Sequence, residues 1–341
     1  MAAPLTPLDE LYRHQLVAPA ATVEHQKDSW AERCYHLLNL GGGMVLNAGR
    51  AVYANAGRRS GFVGFTDGRT QHCLRVAEPF AIGQDPDDPS IGPLRIEAVR
   101  PLKEVKISLA KETFPVALDL TWTARFPPVA TDPNRIERDG QVLTHYMNFF
   151  QSGVYSGTVA VEGREMTVSG RAGFRDRGWG LRKHEGAPKR GLVVFCGCEL
   201  QAQSLYVLLY ETASGKRVFT NGWLIGDEGT IDTVTGAEHD LSFAGTLLEA
   251  GALQVSFASG RVETLTFEVT GRLHLSGVGY TADESRALPG VDRFDLTNRD
   301  VVAELDGQND NACDFRFAGG SGHGYVETGL GAHARYRSGQ R

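Results

Sequence analysis

A chain of 341 residues, 41% of them hydrophobic, is long enough for two ordinary domains or one large β domain, and its core excludes disorder. A net charge of −6 gives no electrostatic basis for binding nucleic acid or an anionic membrane, and no run approaches the roughly 18 apolar residues of a membrane span. Five cysteines (Cys34, Cys73, Cys196, Cys198, Cys313) lack a second ligand pair at zinc spacing, so they read as small buried residues in a reducing compartment, with no metal site expected.

Residues 1–28 read as a separate leader in which Pro7–Tyr12 begins a short helix. They lack the charged-then-apolar pattern of a signal peptide, so the cytoplasm is the expected location. From Trp30 the pattern changes to short runs with period-2 alternation, predicting strands over Glu32–Leu40, Met44–Tyr53, Gly61–Thr66, His72–Ala77, Leu94–Val99, Val105–Ala110 and Val116–Arg125. Asp67-Gly68 and Asp139-Gly140 are hairpin-type turn dipeptides, while Gly83–Pro93 and Phe126–Arg138 read as loops. Further strands are expected over Val154–Glu162, Met166–Phe174, Gly191–Glu199, Ser204–Thr212, Arg217–Ile225, Leu253–Ala258, Thr264–Ser276 and Ala312–Phe317. One short helix is expected around Asp283–Leu288. Many short strands at this spacing, without a fixed repeat, predict an all-β sandwich or barrel architecture. The division is placed at residues 29–170 for a first β domain and 171–337 for a second.

Gly170–Arg182, reading GRAGFRDRGWGLR, packs four glycines and four arginines around one aspartate and one tryptophan. Glycine inside a strand marks a bulge, a bend or close approach of another backbone. The stretch therefore predicts a junction where ligand, strand and second domain meet. If residues 176–180 are extended, Arg177 and Trp179 share one face and Asp176 takes the other.

His145-Tyr146-Met147-Asn148, Ser152-Gly153, Gly157-Thr158-Val159, Gly163, Gly170, Gly173 and Arg175-Asp176-Arg177-Gly178-Trp179-Gly180-Leu181-Arg182 follow in an order that resembles a known family. It is the two-domain, lipocalin-like family of carotenoid 1,2-hydratases (hydroxyneurosporene synthases), related cyclases and Diels–Alderases. The resemblance implies two calycin-like antiparallel β-barrels or sandwiches around an apolar cavity. It also implies catalysis on hydrophobic, often isoprenoid-like substrates without metal or organic cofactor. The family's histidine between Asp and Trp is Arg177 here, and arginine stays protonated, so it cannot act as acid or base. A fixed positive charge beside the indole suits an enolate, phenolate or carboxylate better than a plain polyene.

The expected catalytic residues are Asp176, Tyr146 and His145, for proton transfer and for hydrogen bonding to a carbonyl oxygen. Asp176 competes with a reading as a structural brace for the arginines, and Tyr146 with one as a buried tyrosine whose hydroxyl is satisfied. The expected substrate-binding residues are Trp179 as wall, Arg177 as anion anchor, Tyr206 and Tyr210 as an aromatic stripe, and His184. Each has a plainer alternative: interdomain core for Trp179, a salt bridge for Arg177, core packing for the two tyrosines, and a solvated loop for His184-Glu185. Gly319–Gly324 lacks the lysine and helix of a phosphate loop and reads as a glycine-rich turn, and no Gly-x-Ser-x-Gly elbow is present. The leading expectation is a lyase or isomerase acting on a hydrophobic small molecule with a carbonyl, phenol or carboxylate. The alternative is a non-catalytic carrier of an apolar metabolite. The sequence leaves the oligomeric state open, with a homodimer among the options.

Overall fold

A computed structural model of the chain describes residues 5–14, 27–81, 83–110, 114–138, 140–182, 191–279, 288–305 and 307–336. The alternating runs become antiparallel strands in two bodies. The first uses β1 (Trp30–Gly41), β2 (Met44–Tyr53), β3 (Arg58–Thr66), β4 (Thr70–Pro79), β5 (Ser90–Ile91), β6 (Leu94–Arg100), β7 (Glu104–Leu109), β8 (Val116–Ala124), β9 (Val129–Ala130), β10 (Asn134–Arg138), β11 (Gln141–Val161) and β12 (Arg164–Arg182). The second uses β13 (Leu192–Glu199), β14 (Gln203–Glu211), β15 (Arg217–Gly226), β16 (Ile231–Ala244), β17 (Leu247–Phe257) and β18 (Val262–His274). It is completed, after β19 (Gly290–Asp295), by β20 (Gln308–Phe317) and β21 (Gly320–Leu330).

Among the described residues, eight strands close into a barrel, β13-β14-β15-β16-β17-β18-β20-β21, while the first body is an open sheet running β19-β4-β3-β2-β1-β12-β11-β8-β7-β6-β5. The two-body all-β lipocalin-like fold expected from the sequence is the one observed. The division expected at residues 170–171 falls within β12, the barrel begins at Leu192, and β19 returns to pair with β4 of the first sheet.

Strand alternation decides what each body encloses. On β14, Leu205, Val207 and Leu209 point into the barrel and Tyr206, Leu208 and Tyr210 point out. An eight-stranded barrel is just wide enough for its own side chains, and this one is filled, with Phe257 against Phe317 and Phe267 against Phe315. Cys196 and Cys198 share the inward face, and all five cysteines are buried and free. The first sheet curls round a core of its own that includes Leu38, Val63, Ile107 and Val159. A third cluster joins the bodies. Phe150 lies 4.6 Å from Phe195 and 5.7 Å from Phe174, ring centre to ring centre, in a group that includes Tyr206 and Trp223. Each such pair adds about 0.5–1.5 kcal/mol beyond its area burial.

Several expectations change. Pro7–Glu10 is a single 3₁₀ turn capped by Thr6. The supposed loop Phe126–Arg138 holds β9 and β10, both paired to β11, and Gly83–Pro93 holds β5. Gly320–Leu330 is a full barrel strand, its turn confined to Ala318-Gly319. The helix expected at Asp283–Leu288 and the residue Asp139 lie almost wholly outside the described residues, whereas a short helix capped by Asn298 spans Arg299–Glu304. No helix among the described residues is long and apolar enough to cross a membrane.

Candidate functional site

The glycines of β12 serve the packing of this strand against its neighbour. A Cβ at Gly178 would overlap the hydroxyl of Tyr146 on β11, whose side chain lies across that position. Gly180, at φ +130, brings its backbone against the carbonyl of His145. Thus seated, the buried Tyr146 hydroxyl accepts a hydrogen bond from Arg33 Nε at 3.0 Å. Burial pushes its pKa up to about 12, with Asp176 adding to the rise and Arg33 opposing it.

β12 is extended, and its two faces separate as the alternation requires. Asp176 faces the barrel side, paired in register with Tyr35 of β1, while Arg33 pairs with Gly178. Tyr35 donates to the carboxylate of Asp310 on β20, and Asn47 Nδ2 donates both to Tyr35 Oη at 2.8 Å and to Asp310 Oδ2 at 3.2 Å. Asp310 is fully buried, and its Oδ1 has no hydrogen-bond partner among the described residues; the hydroxyl of Tyr325 nearby is in the same condition. Burial pushes the Asp310 carboxyl well above the usual carboxylate range and Glu327 adds to this, against the pull of Tyr35 and Asn47. Tyr210 closes the group from β14. Its hydroxyl is raised by burial and by Glu327, and it also feels Arg33 and Asp176.

Beside this cluster lies a small hollow of about 40 Å³, lined by Arg33, Tyr35, Arg50, Phe62, Asp176 and Val278, among others. It combines apolar walls with three arginines, Arg33, Arg50 and Arg75, and one carboxylate, Asp176.

The structure therefore brings together Tyr146, Asp176 and Tyr210 of the residues expected from sequence. It separates the others. His145 is exposed, on the opposite side of β11 from Tyr146. Arg177 and Trp179 do share a face, but that face looks away from the barrel. Arg177 is fully buried, its guanidinium donating to Glu32 at 2.7 Å and to the carbonyls of Leu11, Arg33 and Gly178. Its charge is thus met from within the chain, and the expected anion anchor becomes an internal ion pair. The Trp179 indole carries the ring of His14 stacked at 3.7 Å. Tyr206 donates to Glu199 Oε1 at 2.9 Å, inside a network with Ser152, Ser204 and Arg125 that ties the two bodies. His184 lies outside the described residues.

Sequence reasoning missed Tyr35, Asn47 and Asp310. The signal available was Gln308-Asn309-Asp310-Asn311, four consecutive polar residues opening a strand whose remainder is apolar on its inward face. Among the described residues no group of three or more His, Cys, Asp or Glu is arranged to hold a metal ion.

A family model described as a domain of unknown function, DUF7064, matches residues 21–298. No curated protein matches the chain. Among solved structures, a Nitrosomonas europaea protein assigned as AttH superposes with TM-score 0.60 at 14% identity, covering 96% of this chain and 99% of that one. Kievitone hydratase from Nectria haematococca gives TM-score 0.56 at 12% identity, over 94% and 95%. CghA gives 0.50 at 11%, over 89% and 88%. These likenesses describe a common fold.

Proposed function

The chain belongs to the DUF7064 family, and we propose that it is a cofactor-independent lyase or isomerase whose site is the hollow on β1–β4 and β12 of the first sheet, closed by Val278 and Gly279 after β18. The substrate is a hydrophobic small molecule, isoprenoid or aromatic, that carries a carbonyl, phenol or carboxylate. The observation that carries this reading is the buried Asp310 carboxyl, held by Tyr35 and Asn47 with one oxygen unpartnered, beside a hollow that Tyr35 itself lines. Buried polar atoms are nearly always satisfied, and an exception set next to a pocket points to chemistry. That the frame is shared with a hydratase adds support by analogy of fold, which by itself names no reaction.

In this reading the Tyr35 hydroxyl gives its proton to the substrate, at a carbonyl oxygen or an alkene carbon. The phenolate left behind is held by Asn47 Nδ2 and reprotonated by Asp310, whose carboxyl burial pushes well above the usual carboxylate range. Asp176, register partner of Tyr35, takes the proton released by an attacking water in hydration or by the adjoining carbon in isomerisation. Arg33, bonded to Tyr146 at the rim, supplies positive charge for an enolate or phenolate oxygen. The cycle closes when the proton on Asp176 returns to Asp310, so no redox partner is needed.

The test is incubation with a panel of prenylated phenols and α,β-unsaturated ketones in ¹⁸O-labelled water, read by mass spectrometry. A labelled hydrate, or an isomer of unchanged mass, is expected from the unsubstituted chain. Asp310→Asn should slow it by about 10²–10⁴-fold, the usual contribution of a positioned acid. A tight complex whose ligand is returned unchanged would make the protein a carrier instead.

A further inference from the structure

The curled first sheet also buries polar groups in its lumen, among them Arg50, which it shares with the lining of the hollow. Three arginines converge there, Arg50, Arg175 and Arg177, exposed by no more than 3% each. Three buried cations inside one curled sheet carry a heavy desolvation cost unless anions meet them. The leader supplies much of what they require. Glu10 grips Arg175 with both oxygens, at 2.6 and 2.7 Å. The Tyr12 ring lies between the other two guanidiniums, 4.1 Å from that of Arg50 and 3.9 Å from that of Arg177. His14 stacks on Trp179 and shares a hydrogen bond with Glu32 at 3.0 Å.

This fit is incomplete. Four buried polar atoms of the same lumen have no hydrogen-bond partner among the described residues: Arg50 Nε, Trp122 Nε1, His36 Nε2 and Glu32 Oε1. They are contiguous with the leader's contacts. The Arg175 guanidinium lies over the Trp122 ring at 4.5 Å, His36 sits edge-on to Trp122, and Glu32 pairs with Arg177. A plug shaped only for stability would leave few such groups unmet. Two of the four, Arg50 Nε and Trp122 Nε1, are donors only, so this interior holds donors that Glu10 and Tyr12 do not meet.

We propose that the lumen of the first sheet is a second binding site, for an aromatic carboxylate, which residues Glu10–His14 of the leader occupy in this structure. The carboxylate of the ligand replaces that of Glu10 on Arg175, and its ring replaces Tyr12 between Arg50 and Arg177. The leader acts as a tethered competitor, so free ligand binds only when the leader withdraws.

The experiment uses the full chain and 3-(4-hydroxyphenyl)propanoate as probe, with calorimetry for affinity and tryptophan emission for the unstacking of His14 from Trp179. Tyr12→Ala should bind the probe at least tenfold more tightly than the unsubstituted chain, and Arg175→Met in the Tyr12→Ala background should lose that gain. The gain produced by Tyr12→Ala should persist when Asp310→Asn is added, which separates this site from the junction. A Tyr12→Ala chain that keeps its far-ultraviolet circular dichroism but binds no tighter would overturn the proposal, as would loss of the Tyr12→Ala gain when Asp310→Asn is added. Should Tyr12→Ala fail to fold, hydrogen exchange of the unsubstituted chain decides. Faster exchange at the amides of Leu8–Tyr12 in millimolar probe supports displacement, and unchanged exchange overturns it.

Discussion

The Tyr35 hydroxyl donates to the Asp310 carboxyl across 275 residues of sequence, from the central strand of the open sheet to a wall of the closed barrel. Neither body holds this pair alone. β1 faces Tyr35 outward beside Asp176, β2 adds Asn47, and β20 delivers the carboxyl into the seam. A carboxyl buried only when the halves are joined makes the assembly of the fold and the assembly of the site one event.

That arrangement costs stability in a pH-dependent way. Because the folded pKa of Asp310 lies well above its unfolded value near 3.8, its contribution is fully present below that value and is lost as pH rises through the folded pKa. Asn keeps an acceptor for Tyr35 and carries no charge. Asp310→Asn should therefore melt higher than the unsubstituted chain at pH 8, by the equivalent of about 1–3 kcal/mol, the cost of a poorly satisfied buried polar group. The difference should vanish near pH 4. Calorimetric scans across this range measure it, and equal melting temperatures throughout would mean that the carboxyl is already relieved.

Glu199 ties the same seam by a different device. Its carboxylate collects Ser152 and Arg125 from the first body and Ser204 and Tyr206 from the barrel. Removing one partner of a buried charged network strands the rest, at about 3–5 kcal/mol. Glu199→Ala should accordingly lower the denaturant midpoint sharply. Glu199→Gln, which preserves part of the network, should cost less than half as much in urea unfolding.

The strand-rich fold class was legible because inward and outward residues alternate with little interruption over most of the chain. β16 escaped notice because it does not. A bulge between Val234 and Gly236 shifts the period, and His239 puts a polar residue on the buried face between Ala237 and Leu241, so the apolar alternation is broken. β21 escaped because its glycines mimic a turn, although they lie against β13, where the Tyr325 ring covers Gly197. In the site, the face assignment of Asp176 against Arg177 and Trp179 followed from extension alone. What lies across from each face did not. That Glu10 and Tyr12 cover one face and Asp310 the other depends on pairings more than 160 residues apart in sequence, of which local pattern carries no trace.

Gly178 offers a test of why β12 is rich in glycine. Gly178→Ala should force Tyr146 from its place and break its hydrogen bond with Arg33, costing about 1–3 kcal/mol as overpacking does. In a Tyr146→Ala background the space is empty and the same substitution should cost little. A double-mutant cycle by urea denaturation reads the coupling. Equal costs in both backgrounds would place the demand for glycine in the backbone instead.

The lumen of the first sheet should govern the acid limit of stability. His36 is 2% exposed, its Nδ1 is 3.1 Å from the Tyr155 hydroxyl, and burial first, then the charge of Arg175, lowers its pKa from 6.5 to about 3. A depressed folded pKa means that the contribution is fully present above the unfolded value and is lost as pH falls towards the folded one. The window is thus pH 6.5 down to about 3. At about 1.4 kcal/mol per unit the loss is on the order of 5 kcal/mol, an upper figure for a site that can relax. Glu10 acts in the same direction. Burial raises its carboxyl but Arg175 outweighs this, so its pKa is lowered and its contribution is also lost in acid. His36→Gln, which keeps a partner for Tyr155 without gaining a proton, should flatten the acid limb between pH 6.5 and 3. Glu10→Gln should lower stability at neutral pH yet steepen nothing below it. Unfolding monitored by circular dichroism at half-unit pH steps would distinguish the two, and an unaltered acid limb in His36→Gln would move the cause elsewhere.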